Sequence, residues 1–389
     1  MRKWQIFQVV FFCLCFLCTS VQAEELNSAE QILEEYARIY GSSMQSGVEQ
    51  LQNDNLIPDF QVQDLLREVM SGHADFSVSG IIEWIFLTLW KEVFAVGKLM
   101  VFVLALSLLS SYLHNLHIGI SNEGVAQVSS FVCYVLIAGI AAAAFYEVVN
   151  YGQTAVENMA LFMRILVPIV ITTLVSSGAI LSASVFEPTL LAIIEIALTL
   201  IKNIFIPLVL LATAMNIVNG LSEKFHVDKL VQLLNKFVKW GLSALLMIFV
   251  GVAGAQSLSA ATADGLSVKV TKFAASNFIP VVGGILSDSV ETVMNCSVVL
   301  KNAVGVTGVI VIAAISIIPL LKIAASLIIF RLAAAVTQPV AEPKIVKGLS
   351  SLAESIGTIF SMVAAVAVMF IIVLAVIVNA GNMAVTLGR

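Results

Sequence analysis

Polar residues are sparse after residue 80, and they gather in two stretches, 164–187 and 276–299. The first carries Thr172, Thr173, Ser176, Ser177, Gly178, Ser182 and Ser184, then Glu187-Pro188. The second carries Gly283, Gly284, Ser287, Asp288, Ser289, Glu291 and Asn295. Each follows a proline, Pro168 in one and Pro280 in the other. Carboxylates and hydroxyls set in apolar sequence are the groups that line an ion or solute pathway. A further pair, Glu195 and Lys202, stands seven residues apart and so falls on similar helical faces. It reads either as part of such a path or, more plainly, as two ends of structural interhelical bonds.

Other chemistries find no support in the residues. No glycine loop with a lysine is present to cradle a nucleotide, so the sequence gives no sign of ATP hydrolysis by this chain. His-Glu-x-x-His and Gly-x-Ser-x-Gly are missing too, and the four histidines show no ligand spacing. Asp288 could form half of an intramembrane aspartyl protease, but Ser176 stands where the second acid would be needed. Cys13, Cys15 and Cys18 lie in the leader, and Cys133 and Cys296 read as small core residues rather than a redox pair. No catalytic residue, metal or cofactor is implied, and no segment is basic enough for nucleic acid.

The elements around these residues repeat. At an offset of 112, Val167-Pro168-Ile169-Val170 meets Ile279-Pro280-Val281-Val282, and Ile206-Pro207-Leu208 meets Ile318-Pro319-Leu320. Gly139 meets Gly251, Leu174 meets Leu286, and Ser177 meets Ser289. Two scarce prolines in register across apolar helices point to an internal duplication. Duplicated halves with interrupted helices are a layout in which transporters place their pathways.

Composition fixes the class. Hydrophobic residues make up 59% of the chain, charged residues 12%, and mean hydropathy is +1.01. That excludes an ordinary soluble domain and leaves room for six to eight spans of about 20 residues. Residues 1–23 read as a signal peptide, with Arg2 and Lys3, an apolar run from Ile6 to Leu17, and Val21-Gln22-Ala23 as the cleavage site. An uncleaved first anchor is the alternative. Residues 24–80 hold eleven acidic residues against Arg38 and Arg67 and form an acidic outer segment. Within it Ser28 and Gln31 fit a capping box, and Ile32, Leu33, Tyr36, Ile39 and Tyr40 share one helical face. Val62, Leu65, Leu66 and Val69 mark a second short amphipathic helix. These faces must pack on the membrane part or on a partner, and Ile32, Tyr36 and Ile39 are the candidate docking residues. Residues 81–91, with Trp84 and Trp90, read as an interfacial helix.

Six spans follow, at 92–113, 125–149, 190–218, 240–260, 302–330 and 350–379. Lys224, Lys229, Lys236 and Lys239 mark the loop 219–239, and Arg331, Lys344 and Lys347 mark the loop 331–349. Short basic loops belong on the cytoplasmic side. With residue 24 outside, both loops reach that side only if 164–187 and 276–299 do not cross. Two carboxylates facing lipid in a helix centre would cost roughly 2.5–3.5 kcal/mol each, so both stretches should be broken or re-entrant. The expected fold is all-α: a polytopic helical membrane protein with a parallel duplication. Its first membrane half spans 92–218, with repeat 1 from about 125, and its second spans 240–330. A last span and C-terminus occupy 350–389.

At this point the leader, the acidic segment beginning Ala23-Glu24-Glu25, and Val167-Pro168-Ile169-Val170 become informative together. With Asn277-Phe278-Ile279-Pro280-Val281-Val282-Gly283-Gly284 and Gln338-Pro339, they resemble the stage III sporulation protein AE family of endospore-forming bacteria. The resemblance runs over essentially the whole chain. It implies a multi-pass protein made in the mother cell and placed in the outer forespore membrane. There it would join other stage III A membrane proteins, a separate ATPase subunit and, indirectly, a forespore-side partner in a channel complex supporting forespore development. The family brings no catalytic residues. A stand-alone secondary transporter and a passive membrane scaffold are the alternatives that the residues leave open.

Overall fold

The computed structural model describes residues 38–39, 41–45, 48–49, 61–71, 78–117, 123–221, 227–278 and 283–388. Its elements are α1 (Val62–Ser71), α2 (Val78–His117), α3 (Glu123–Ser176), α4 (Ile180–Leu200), a π-helical turn (Ile201–Phe205), α5 (Ile206–Leu221), α6 (Asp228–Phe278), α7 (Gly283–Thr337) and α8 (Pro343–Gly388). Among the described residues there is no strand. Six helical stretches are long and apolar enough to cross a membrane: Ser79–Tyr112, Phe131–Ser176, Ile180–Gly220, Asp228–Gln256, Met294–Thr337 and Pro343–Asn379. Each span read from the sequence overlaps one of these six.

Long runs of Leu, Ile, Val and Ala with few breakers let the helices grow well past bilayer thickness. α3 has 54 residues, roughly 80 Å at a 1.5 Å rise, against about 30 Å of hydrocarbon. The segment 81–91 is continuous with the helix that follows it. It lies near the start of the 40-residue α2, since no proline or glycine from Ile81 to Val96 ends helical hydrogen bonding.

Pro168 does not break α3, which continues to Ser176. The chain reverses ten residues later, at Ser177-Gly178-Ala179. There Gly178 N–H donates to Val175 O at 2.9 Å and Ala179 N–H to Leu174 O at 3.2 Å, the two bonds of a Schellman ending. Gly178 has φ of 89°, a left-handed conformation that costs a residue without a Cβ little. Leu174 and Ala179, both buried, supply the hydrophobic contact that accompanies this ending. The stretch 164–187 is thus the tip of an antiparallel hairpin between α3 and α4.

Pro207 is handled differently. The five residues before Ile206 form the π turn, and Ile206 N–H donates to Ile201 O, five residues back. The wider turn ends just before Pro207, whose ring would crowd the Asn203 carbonyl four residues back in a regular α-helix. Its sequence counterpart Pro319 lies inside α7 with helix on both sides.

α8 is central. Its most extensive packing is with α7 and then α6, and it also touches α3, α4 and α5. Close approach sets the level of the helices relative to one another. A Cβ on Gly152 of α3 would stand 2.7 Å from Ile359 of α8 and 3.5 Å from Val363. Further along, a Cβ on Gly308 of α7 would overlap Leu166 of α3 and stand 3.2 Å from Leu374 of α8. Residues 152–166 of α3 therefore run beside 359–374 of α8, a segment with no charged residue. The earlier apolar run of α3 sits lower. Tyr134 Oη donates to Ile217 O at 3.0 Å and shares a pocket with Lys344, Lys347 and Gly348. The apolar runs of α3 and α8 are therefore out of step along the bundle axis.

The outer segment docks by α1. Val62 and Leu66 are fully buried together with Met44 and Val48, and α1 packs on α7. Val62 N–H, one of the helix's first donors, is satisfied by Gln45 Oε1 at 2.8 Å. Ile32 and Tyr36 lie outside the described residues, whereas Ile39 is half exposed.

Candidate functional site

The two basic loops meet at one end of the bundle. Lys347 pairs with Asp228 at 2.7 Å and Lys239 with Glu354 at 2.7 Å, each bond joining the starts of α6 and α8. Lys239 and Arg331 also line a common cleft with Gln338. Just inside this end, α5 and α8 are joined by hydroxyl and amide side chains. Thr213 Oγ1 donates to Ser355 Oγ at 2.8 Å, and Asn216 donates to Ser351. Such small polar contacts hold helices together where no hydrophobic difference separates lipid from side chain.

At the level of the uncharged segment of α8, charge appears on α3 and α4. Glu195 and Lys202 do not bond each other; each reaches across to α3. Arg164 donates through Nε and an Nη to Glu195 Oε1, each at 2.7 Å, and Lys202 Nζ donates to Glu157. Glu157 and Arg164 are also seven residues apart. Because the helices are antiparallel, each acid meets a base at its own level. All four side chains are about half exposed. Ions facing acyl chains at this depth would cost roughly 2.5–3.5 kcal/mol each, so this face calls for a protein or aqueous neighbour.

The exposed positions around these pairs mix apolar side chains, Val185, Ile196 and Ile204 among them, with hydroxyls, an amide and a proline. On α3 the latter are Thr154, Pro168, Thr172 and Ser176; on α4 and the π turn, Ser184, Thr199 and Asn203. Thr172 Oγ1 donates to Pro168 O at 2.8 Å and Ser176 Oγ to Thr172 O at 3.0 Å. Ser177 is buried and donates to Leu174 O at 2.7 Å. Of the residues singled out in the first stretch, Pro168 and Ser176 thus lie on the charged face, while Ser177 and Gly178 shape the turn. In the second stretch Pro280 lies outside the described residues. Gly283, Gly284, Asp288, Ser289 and Glu291 belong to the first turns of α7, and their side chains are likewise outside the described residues.

Sequence reasoning passed over three charged residues. Glu157 and Arg164 carried a usable signal, since their seven-residue spacing mirrors that of Glu195 and Lys202. Lys301 carried none. It is fully buried in α7, where Nζ donates to Val378 O at 2.7 Å and Asn382 Oδ1 at 2.9 Å.

The family model for stage III sporulation protein AE matches residues 60–381, which takes in every described helix from α1 and most of α8. The chain belongs to the stage III sporulation protein AE family. It is also similar to the stage III sporulation protein AE of Bacillus subtilis (strain 168). The two are 33% identical over 328 residues, covering 84% of this chain and 82% of that one. No solved structure matches the chain. Membership assigns the protein to sporulation, and the six apolar helices make it a multi-pass membrane protein of that process.

Proposed function

We propose that this chain is a membrane subunit of a sporulation-specific channel or transport complex joining mother cell and forespore, with a permease-like role in its core. The observation that carries the reading is the charged and hydroxylated face of α3 and α4 at the depth of the uncharged run of α8. A purely structural membrane anchor has no use for four half-exposed ions there, whereas a component that contacts polar partners or a wet passage does. The family supports the setting: the outer forespore membrane, other stage III A proteins as neighbours, and a separate subunit to supply ATP hydrolysis. The buried packing of α1 on α7 adds support, because it holds an acidic outer segment against the membrane bundle, where it can meet intermembrane partners.

The test is purification of the tagged full-length chain from sporulating cells during forespore engulfment, followed by mass spectrometry. The other stage III A proteins and an ATPase should be recovered with it. Recovery of the chain alone from cells that complete sporulation would favour the stand-alone transporter instead.

A further inference from the structure

The geometry points to the exposed face of the α3–α4 hairpin as a contact between two copies of this chain, related by a two-fold axis along the membrane normal.

Three features select that partner. Lipid does not suit a face carrying Glu157, Arg164, Glu195 and Lys202 half exposed at the level of the uncharged run of α8. A water-filled groove accounts for the ions but not for their surroundings, since Val185, Ile196 and Ile204 are each more than two-fifths exposed beside them. A protein surface accounts for both. The third feature is self-complementarity. Glu157 and Lys202 share one level, and Arg164 and Glu195 share the next. Rotating a copy about the membrane normal sets its α4 against α3 of the first. Glu157 then faces a second Lys202 and Arg164 a second Glu195, with the same pairings returned in the other direction. An isologous contact requires this self-matching, and it converts two pairs into two closed four-ion rings. The contact uses the same charged face on which the proposed function draws, but it needs only that these helices lie in a bilayer.

The test keeps the bonds within each chain intact. A variant with E157K, K202E, R164E and E195R retains both internal pairs with their signs exchanged. Two differently tagged full-length versions are co-expressed in sporulating cells, extracted in mild detergent, and recovered by one tag. Wild type should recover wild type, and the exchanged variant should recover itself. The mixed combination sets like charges opposite one another at both levels, and its recovery should fall by at least about tenfold, because like-charge juxtaposition is strongly unfavourable. Equal recovery of the mixed pair would overturn the proposal, as would failure of wild-type copies to recover each other. Position is read separately in wild-type charge background. A copy carrying T154C and another carrying N203C should form an interchain disulfide on oxidation in membranes, whereas M247C, on the 77% exposed surface of α6 and outside the α3–α4 hairpin, should form none. A disulfide at Met247 with none between Thr154 and Asn203 would place the contact elsewhere and sink the proposal.

Discussion

Lys301 of α7 holds the far end of α8: its ammonium donates to Val378 O at 2.7 Å while its side chain is wholly buried. Among the described residues no carboxylate pairs with it. The bond ties two helices at the end opposite the basic loops, where Gly305 already brings them together against Val378. A buried ammonium is costly to desolvate, so the contribution of its stem and that of its charge can differ in sign.

The first prediction separates them. Lys301→Ala leaves a cavity and should lower stability by about 2–5 kcal/mol. Lys301→Met fills the space without the ion and should cost less than about 1.5 kcal/mol. Melting of the detergent-solubilised protein reads both variants. Equal losses would mean that the charge, not the packing, is what holds α7 to α8.

The second concerns the hairpin tip. Gly178 has φ of 89°, so Gly178→Val should destabilise the reversal by about 1–3 kcal/mol and lower the amount of protein in the membrane. Gly178→Asn should come closer to wild type, because asparagine enters left-handed conformations more readily than other side chains. Equal behaviour of the two variants would mean that space at the tip, and not backbone conformation, decides.

The third concerns topology. Asp228 and Lys347 stand 2.7 Å apart, so the loops that contain them open on the same side. Cysteines at Ser222 and Lys347 should both react with an impermeant thiol reagent only when it has access to the cytoplasmic face, and one at Asn53 only from outside. Reaction of Ser222 and Lys347 from opposite faces would contradict the bundle itself.

Helical class and the number of apolar spans were legible because hydropathy reports both directly. That the two basic loops share one side was legible through their lysines; that they touch was not. Levels along the axis were not, because hydropathy marks which residues are apolar but not which neighbours they meet. Tyr134 lies in a plain apolar run yet bonds Ile217 beside the basic end. Pro168 marked a break that α3 does not make, since Thr172 follows on with an unbroken helix and the reversal waits for Gly178. Glu195 and Lys202 were recognised, but their partners Glu157 and Arg164 sit in another helix, and only the reversal at Gly178 sets the two spacings of seven side by side. Lys301 was invisible for a different reason: a lone lysine at a span edge reads as a boundary, and its burial depends entirely on α8.

The last prediction concerns the outer segment. α1 is held to the bundle by Leu66 and Val62, both fully buried, whereas Ile39 is 50% exposed. Leu66→Ala should therefore destabilise the whole protein by about 2–5 kcal/mol, since it empties a packed site against α7 and the helical residues around Met44. Ile39→Ser removes an apolar side chain that already meets solvent and should leave melting within about 0.5 kcal/mol of wild type. If Ile32, Tyr36 and Ile39 form one docking face, replacing all three by Ser should also preserve the level of the protein while reducing recovery of the other stage III A proteins with it. The acidic character of residues 24–80 disfavours anionic lipid as the alternative occupant of that face. Loss of the protein itself in the triple variant would show that the segment before α1 packs on its own bundle, and undiminished recovery of partners would remove the docking role.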